Sequence, residues 1–172
     1  ATYGAWISGG EIRKMVTNIT VPDTHLNGED VVVQADGYYV DGDFSISGGA
    51  LTPSLTNKAA VVHVGLPYTG TIQLLKLSDG SPTGTGQTRD RRIFLGTLRL
   101  DRSQGLSIGR TSTTLDALNY NDETSATALF TGDMPKVFQT TWDRADEIII
   151  EQDKPLPANI LAVILRSETE EG

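Results

Sequence analysis

Two histidines, a cluster of aspartates, a glycine-threonine loop and an arginine-rich strand are the places in this 172-residue sequence where side chains could do chemistry. His25 stands in a polar loop, and His63 lies inside the apolar run Val61-Val62-His63-Val64. A serine triad would need one of them beside a nucleophile on a strained elbow, and the GxSxG pattern of that elbow is absent. Asp36, Asp41 and Asp43 could suggest calcium, but the DxDxDG order and closing glutamate of a calcium loop are missing, so the spacing predicts turns. Thr83-Gly84-Thr85-Gly86-Gln87 looks like a phosphate loop, yet no lysine follows at Walker spacing and no helix-forming segment comes after it. Carboxylate pairs such as Asp143 with Asp146, or Glu147 with Asp153, are frequent because the chain is acidic, which removes their weight as glycosidase candidates. The absence of cysteine excludes thiol catalysis, disulfides and thiolate zinc sites. These residues predict a protein that is not an enzyme and that uses neither a metal nor a cofactor.

One charge pattern stands apart. Residues 89 to 110 carry Arg89, Arg91, Arg92, Arg99, Arg102 and Arg110 against Asp90 and Asp101. Six positive charges less two negative leave +4 in this stretch, so a whole-chain charge of −8 leaves −12 for the rest. Arginine's planar fork suits carboxylates, which makes Arg91, Arg92, Arg99 and Arg102 candidate subunit-interface residues facing the acidic surface of a neighbouring copy. The plainer reading is pairing with carboxylates of the same chain. Phosphate binding comes third, because aromatics are not interleaved and the acidic background repels nucleic acid.

What must position these residues is a set of short strands. Eighteen glycines, seven prolines and many threonines suit strands and tight turns better than long helices. No apolar run approaches the ~18 residues of a transmembrane helix, so no membrane span is expected. The pattern predicts strands over 15–21, 31–35, 38–40, 44–47, 59–66 and 71–77, with turns at Asp36-Gly37 and Asp41-Gly42. Further strands are expected over 91–100, 136–142, 147–152 and 160–166, and a polar, mobile loop over 111–127. Alternation along 91–100 places Phe94, Gly96, Leu98 and Leu100 on one face, with Arg91, Ile93, Leu95, Thr97 and Arg99 on the other. Pro155 and Pro157 fix a stiff corner before the last strand. The fold class is all-β, antiparallel and β-sandwich or barrel-like, with room for two packed β lobes. Its expected organisation is an N-terminal arm (1–14), a first β lobe (15–77), a flexible connector (78–88), a second β lobe (89–167) and an acidic tail (168–172).

Longer strings carry a resemblance. In order and spacing, VVVQADG, SISGGALT, AAVVHVGLPYTGTIQLLKL, RSQGLSIG and LFTGDMPKVFQTTWDRADEIIIEQDKPLPANILAVI resemble the C-terminal part of tail tube, or nozzle, proteins of short-tailed bacteriophages and related prophages. The likeness covers roughly residues 15 to 166, and HVGLPY and WDR...QDKPLP...LA are its most specific pieces. It implies a structural virion component without an active site, a homo-oligomeric ring that extends the DNA channel, with tail adaptor or fibre proteins as neighbours. DNA would pass through without specific binding, past a negatively charged lumen that repels phosphate. The implied location is the virion tail, after assembly in the reducing host cytoplasm that suits a cysteine-free chain. Relatives of this kind carry a large β-rich part ahead of the matching segment, so an excised domain or a reduced relative is expected. His63, Pro67 and Tyr68 would form a strand end and corner, with the Tyr68 ring buried and its hydroxyl at the surface. Trp142 and Asp143 would end another strand, with the indole in the core, while Pro155 and Pro157 hold the last strand. The competing reading is a receptor- or carbohydrate-binding β module of a tail appendage, for which Tyr3, Trp6, Tyr38, Tyr39 and Tyr120 are the candidate aromatics.

Overall fold

The structure is a computed structural model and describes residues 4–8, 11–22, 24–76, 80–81, 84–85, 90–118, 129–138, 142 and 147–169. Among these, every regular element is a strand except one 3-10 turn at Thr24–Leu26, and every ladder between strands is antiparallel. The fold is all-β and of sandwich or barrel-like type, as the alternation predicts. The chain divides into two compact units, Ala1–Tyr68 with Lys154–Leu156, and Thr69–Asp153 with Pro157–Gly172.

In the first unit, β1 (Gly4–Ser8) and β2 (Glu11–Met15) form a hairpin. Next comes a four-stranded sheet built from β3 (Asp30–Ala35), β4 (Tyr38–Ser47), β5 (Ala50–Thr52) and β6 (Val62–Gly65) in the order β5-β4-β3-β6. Val31 and Val33 alternate along β3, and Phe44 and Ile46 along β4, so one face of the sheet is apolar. Leu26, Leu51, Leu55 and Ala59 complete that core. Asp36 and Gly37 turn the β3–β4 hairpin with φ of 51° and 88°, the left-handed pair of a tight hairpin turn. The expected turn at Asp41-Gly42 is a bulge inside one long strand. Val33 faces Val40 and Val31 faces Phe44, so two steps on β3 match four on β4. Gly42 accommodates it with φ of 143°, where a Cβ would sit 3.2 Å from the Phe44 ring. The expected strand over 15–21 is also different: Val16 exchanges two backbone bonds with Ala59, and Ile19 and Val21 make one each, to Leu51 and Gly49. That segment covers the core with Ile19 and Val21 and adds no regular ladder.

The second unit begins with β7 (Gly70–Gln73) and the short hairpin β8 (Gly80–Ser81) and β9 (Gly84–Thr85). It continues with β10 (Arg91–Ser103), β11 (Ser107–Gly109), β12 (Leu115–Ala117), β13 (Phe130–Val137), β14 (Ile149–Gln152) and β15 (Ile160–Thr169). Two sheets, β13-β10-β15 and β12-β11-β14-β7, send Ile93, Leu98, Leu100, Ile108 and Ile150 into one core with Leu106, Leu118, Phe138 and Ile148. Because β7 pairs with β14, it belongs to this unit, and the division falls at Tyr68–Thr69, ahead of the expected connector. Most of that connector lies outside the described residues, as do much of 111–127 and the end of the tail. The strand expected at 136–142 runs instead over Phe130–Val137, at a sheet edge where Pro135 needs no ladder donor.

Strict alternation fails along β10. Opposite β15, Ile93 pairs with Ser167 but Leu95 pairs with Arg166, so Phe94 is an extra residue. The bulge reverses the parity, and Arg91, Ile93, Gly96, Leu98 and Leu100 all become buried. Ile93 therefore shares the core face with Leu98 and Leu100, contrary to the alternation along 91–100. A second irregularity between Leu100 and Ser103, with Arg102 at φ of 46°, turns the Ser103 hydroxyl inward. There it accepts from Asn159 N at 2.8 Å and lies within donating distance of the Asp101 and Asn159 carbonyls, which satisfies a fully buried polar group.

Candidate functional site

The outer face of the β13-β10-β15 sheet collects the charged and apolar side chains that the core leaves outside. The register sets its rows: Leu95 lies between Val137 and Arg166, Thr97 between Pro135 and Ile164, and Arg99 between Asp133 and Ala162. Val137, Ile164 and Leu161 are 72%, 44% and 64% exposed on strands whose other face is core, so the sheet carries apolar side chains on both sides. Leu161 stands out because β15 has one extra residue between the partners of Arg99 and Leu100.

The four candidate interface arginines separate into different roles. Arg91 is 4% exposed, so it offers almost no surface to a partner. Arg92 reaches the carboxylate of Glu168, its cross-strand neighbour, at 3.4 Å and lies 5.9 Å from the centre of the Trp142 ring. Arg99 donates through Nε and Nη2 to both oxygens of Asp133, at 2.7 and 2.8 Å. That bidentate pairing holds the Asp133 carboxyl below the usual carboxylate range, first through the hydrogen bonds, and raises the Arg99 guanidinium in return. Arg102 is exposed; its backbone N–H donates to the Thr131 hydroxyl at 2.9 Å, which in turn donates to Asp101. The plainer sequence reading, pairing within the chain, thus describes Arg92 and Arg99. Asp133 and Glu168 were missed as partners because only cross-strand register brings them there.

No family model matches the chain, and no curated protein matches it in sequence.

The remaining sequence candidates do not gather into one site. His63 is exposed on β6 opposite Gln34, and among the described residues no three histidine, cysteine or acidic side chains form a metal cluster. Pro67 is exposed and Tyr68 is 72% exposed, so this corner does not bury the tyrosine ring as expected. Trp142 is 47% exposed and lies by Arg92 rather than in the core, because the strand that would have carried it inward ends at Val137. Asp143, Arg89, Tyr3 and Tyr120, and the Trp6 side chain, lie outside the described residues. Pro155 accepts from Gln34 Nε2 at 3.2 Å within the first unit, and Pro157 accepts from Gln104 N at 2.9 Å within the second. Of the three aspartates only Asp36 serves a turn, while Asp41 and Asp43 lie within β4: Asp36 Oδ1 accepts from Val61 N at 2.8 Å, and both its oxygens lie 3.1 Å from Ala60 N. No described helix is long and apolar enough to cross a membrane.

Proposed function

We propose that this chain is a structural subunit that works by association, with the outer face of β13-β10-β15 as its contact surface. In this reading it is a ring-forming tail tube or nozzle component of a short-tailed bacteriophage, or a domain of one. The observation that carries the association is the apolar stripe of Val137, Ile164 and Leu161, exposed on a sheet whose opposite face is already core. Sheets that are apolar on both faces are normally covered on both, and clustered exposed apolar side chains mark contact surfaces. Arg99 and Arg166 border the stripe, while the chain as a whole carries −8, so a second copy is a partner of complementary charge. The phage assignment rests on the quoted strings and their order. It brings adaptor or fibre proteins as neighbours, a lumen through which DNA passes without specific binding, and the virion tail as location.

The test is native mass spectrometry and electron microscopy of the parent gene product and of virions. Discrete rings in the tail are expected, and Val137→Lys with Ile164→Lys should convert them to monomers while the thermal melt stays within a few degrees, since both side chains are exposed. A parent protein that stays monomeric and lies outside the tail overturns the reading.

A further inference from the structure

We infer that the first unit carries a saccharide-binding cleft between the β3–β4 hairpin and the loop of residues 55–59. The cleft encloses about 460 Å³, within the roughly 300–1,000 Å³ typical of small-ligand sites. Its floor is apolar, made by Ala35 and Val40 of the hairpin and by the buried Leu55 and Ala59 of the loop. Its mouth is polar, with Tyr38, Asp41, Thr56 and Asn57 all at exposed positions. Tyr38 is 44% exposed, which leaves much of a large phenol open to a ligand at the rim.

A pyranose has an apolar C–H face and a ring of hydroxyls that both donate and accept. The Tyr38 ring suits the first, and the second needs mixed donors and acceptors close together. Asp41 supplies acceptors, while Asn57 and Thr56 supply both kinds. A purely apolar ligand would leave those groups unused. A cationic ligand would need a larger surplus of negative charge than the lining offers: Asp36 and Asp41 against Lys58 leave a single net negative charge, and the Asp36 carboxylate is turned to the backbone N–H groups of Ala60 and Val61. A neutral polyol matches what remains. The Asp36 bonds also tie the hairpin tip to residues adjoining the loop, so the two walls are held before a ligand arrives and less ordering is lost on binding.

This cleft lies in the first unit and the association face in the second, so each stands or falls alone. The experiment is a ¹H–¹⁵N NMR titration of the full chain with glucose, galactose, N-acetylglucosamine and rhamnose, with tetramethylammonium as the cationic comparison. At least one sugar should give saturable shifts confined to residues 35–41 and 55–59, with Kd of about 1–10 mM for a monosaccharide. Tyr38→Ala should weaken that binding at least about tenfold and Tyr38→Trp should retain it, a difference of roughly 1.4 kcal/mol or more. Asn57→Ala, in an exposed loop, should weaken it severalfold and serves if Tyr38→Ala does not fold. Absence of shifts with all four sugars, shifts elsewhere, tighter binding of tetramethylammonium, or unchanged binding in the variants overturns the inference.

Discussion

At Gly96 on β10 the second unit's core leaves little room for a side chain: a Cβ built there would stand 2.8 Å from Cε2 of Phe138 and 3.4 Å from Leu165 Cδ2. Strand propensity alone would favour alanine at this position, whereas packing forbids it. Gly96→Ala is therefore expected to destabilise the protein by about 1–3 kcal/mol, measured by urea unfolding. A stabilised variant would mean that Phe138 moves aside without cost. Arg99 and Asp133 make the second residue-scale case. Both side chains are about half exposed, 52% and 46%, so their pairing is a matter of local geometry more than of stability. The Asp133 carboxyl is held below its ordinary value of 3.8, so whatever the pair contributes is present above that value and is lost as pH falls through the folded midpoint. A side-chain carboxyl NMR titration should place the Asp133 midpoint below 3.8, and Arg99→Gln should return it upward. An unchanged midpoint in that variant would show that the hydrogen bonds are not the cause. Neither partner could be chosen from the sequence, because 34 residues separate them and many carboxylates compete.

At the scale of elements, the bulge at Phe94 decides what β10 does. Without it, strict alternation would put Arg92 on the core side whenever Leu98 and Leu100 point inward; with it, Ile93 takes that place and Arg92 stays outside against Glu168. Deleting Phe94 would bring Ile93 and Leu95 together opposite Ser167 and Arg166, a regular ladder that keeps Ile93 inward and Arg92 outward. What the deletion removes is the Phe94 carbonyl that accepts from Phe138 N at 3.0 Å, so a loss of about 1–3 kcal/mol is expected in urea unfolding, with the fold retained. Loss of the unfolding transition altogether would mean that the bulge itself is needed for the strand to pair. The first unit was more legible at this scale. Val31, Val33, Phe44 and Ile46 alternate cleanly, and the Asp36-Gly37 turn was readable because both residue types tolerate the left-handed region. Asp41-Gly42 carries the same local signal and yet sits in a bulge, since β3 continues alongside it and keeps the strand paired. Local turn chemistry alone does not distinguish a chain reversal from a bulge.

For the whole molecule, charge is the property that links fold to association. Of the arginines on β10, Arg91 is buried and Arg92 and Arg99 pair with Glu168 and Asp133 of the same sheet, so only part of the +4 carried by residues 89–110 is offered by the exposed face. If copies meet through that face, association should weaken as salt rises from about 0.05 to 0.5 M, because the Debye length shrinks several-fold over that range. Sedimentation velocity across this series is the check; association that strengthens with salt would assign the contact to the apolar stripe without help from the arginines. What the sequence by itself determined were the properties set by composition and short-range pattern: an all-β antiparallel chain, no cysteine chemistry, no long apolar helix and a polarised charge. These depend on residue types and on neighbours a few positions apart. Only the tertiary structure decided that Ile93 faces inward, that Arg91 is buried, that Tyr68 and Trp142 stand out, and that β7 joins the second unit. The facing of Ile93 and Arg91 and the pairing of β7 come from strand register and bulges, which are settled by which distant strand completes the core, and Tyr68 and Trp142 stand out because they lie beyond the ends of the strands before them.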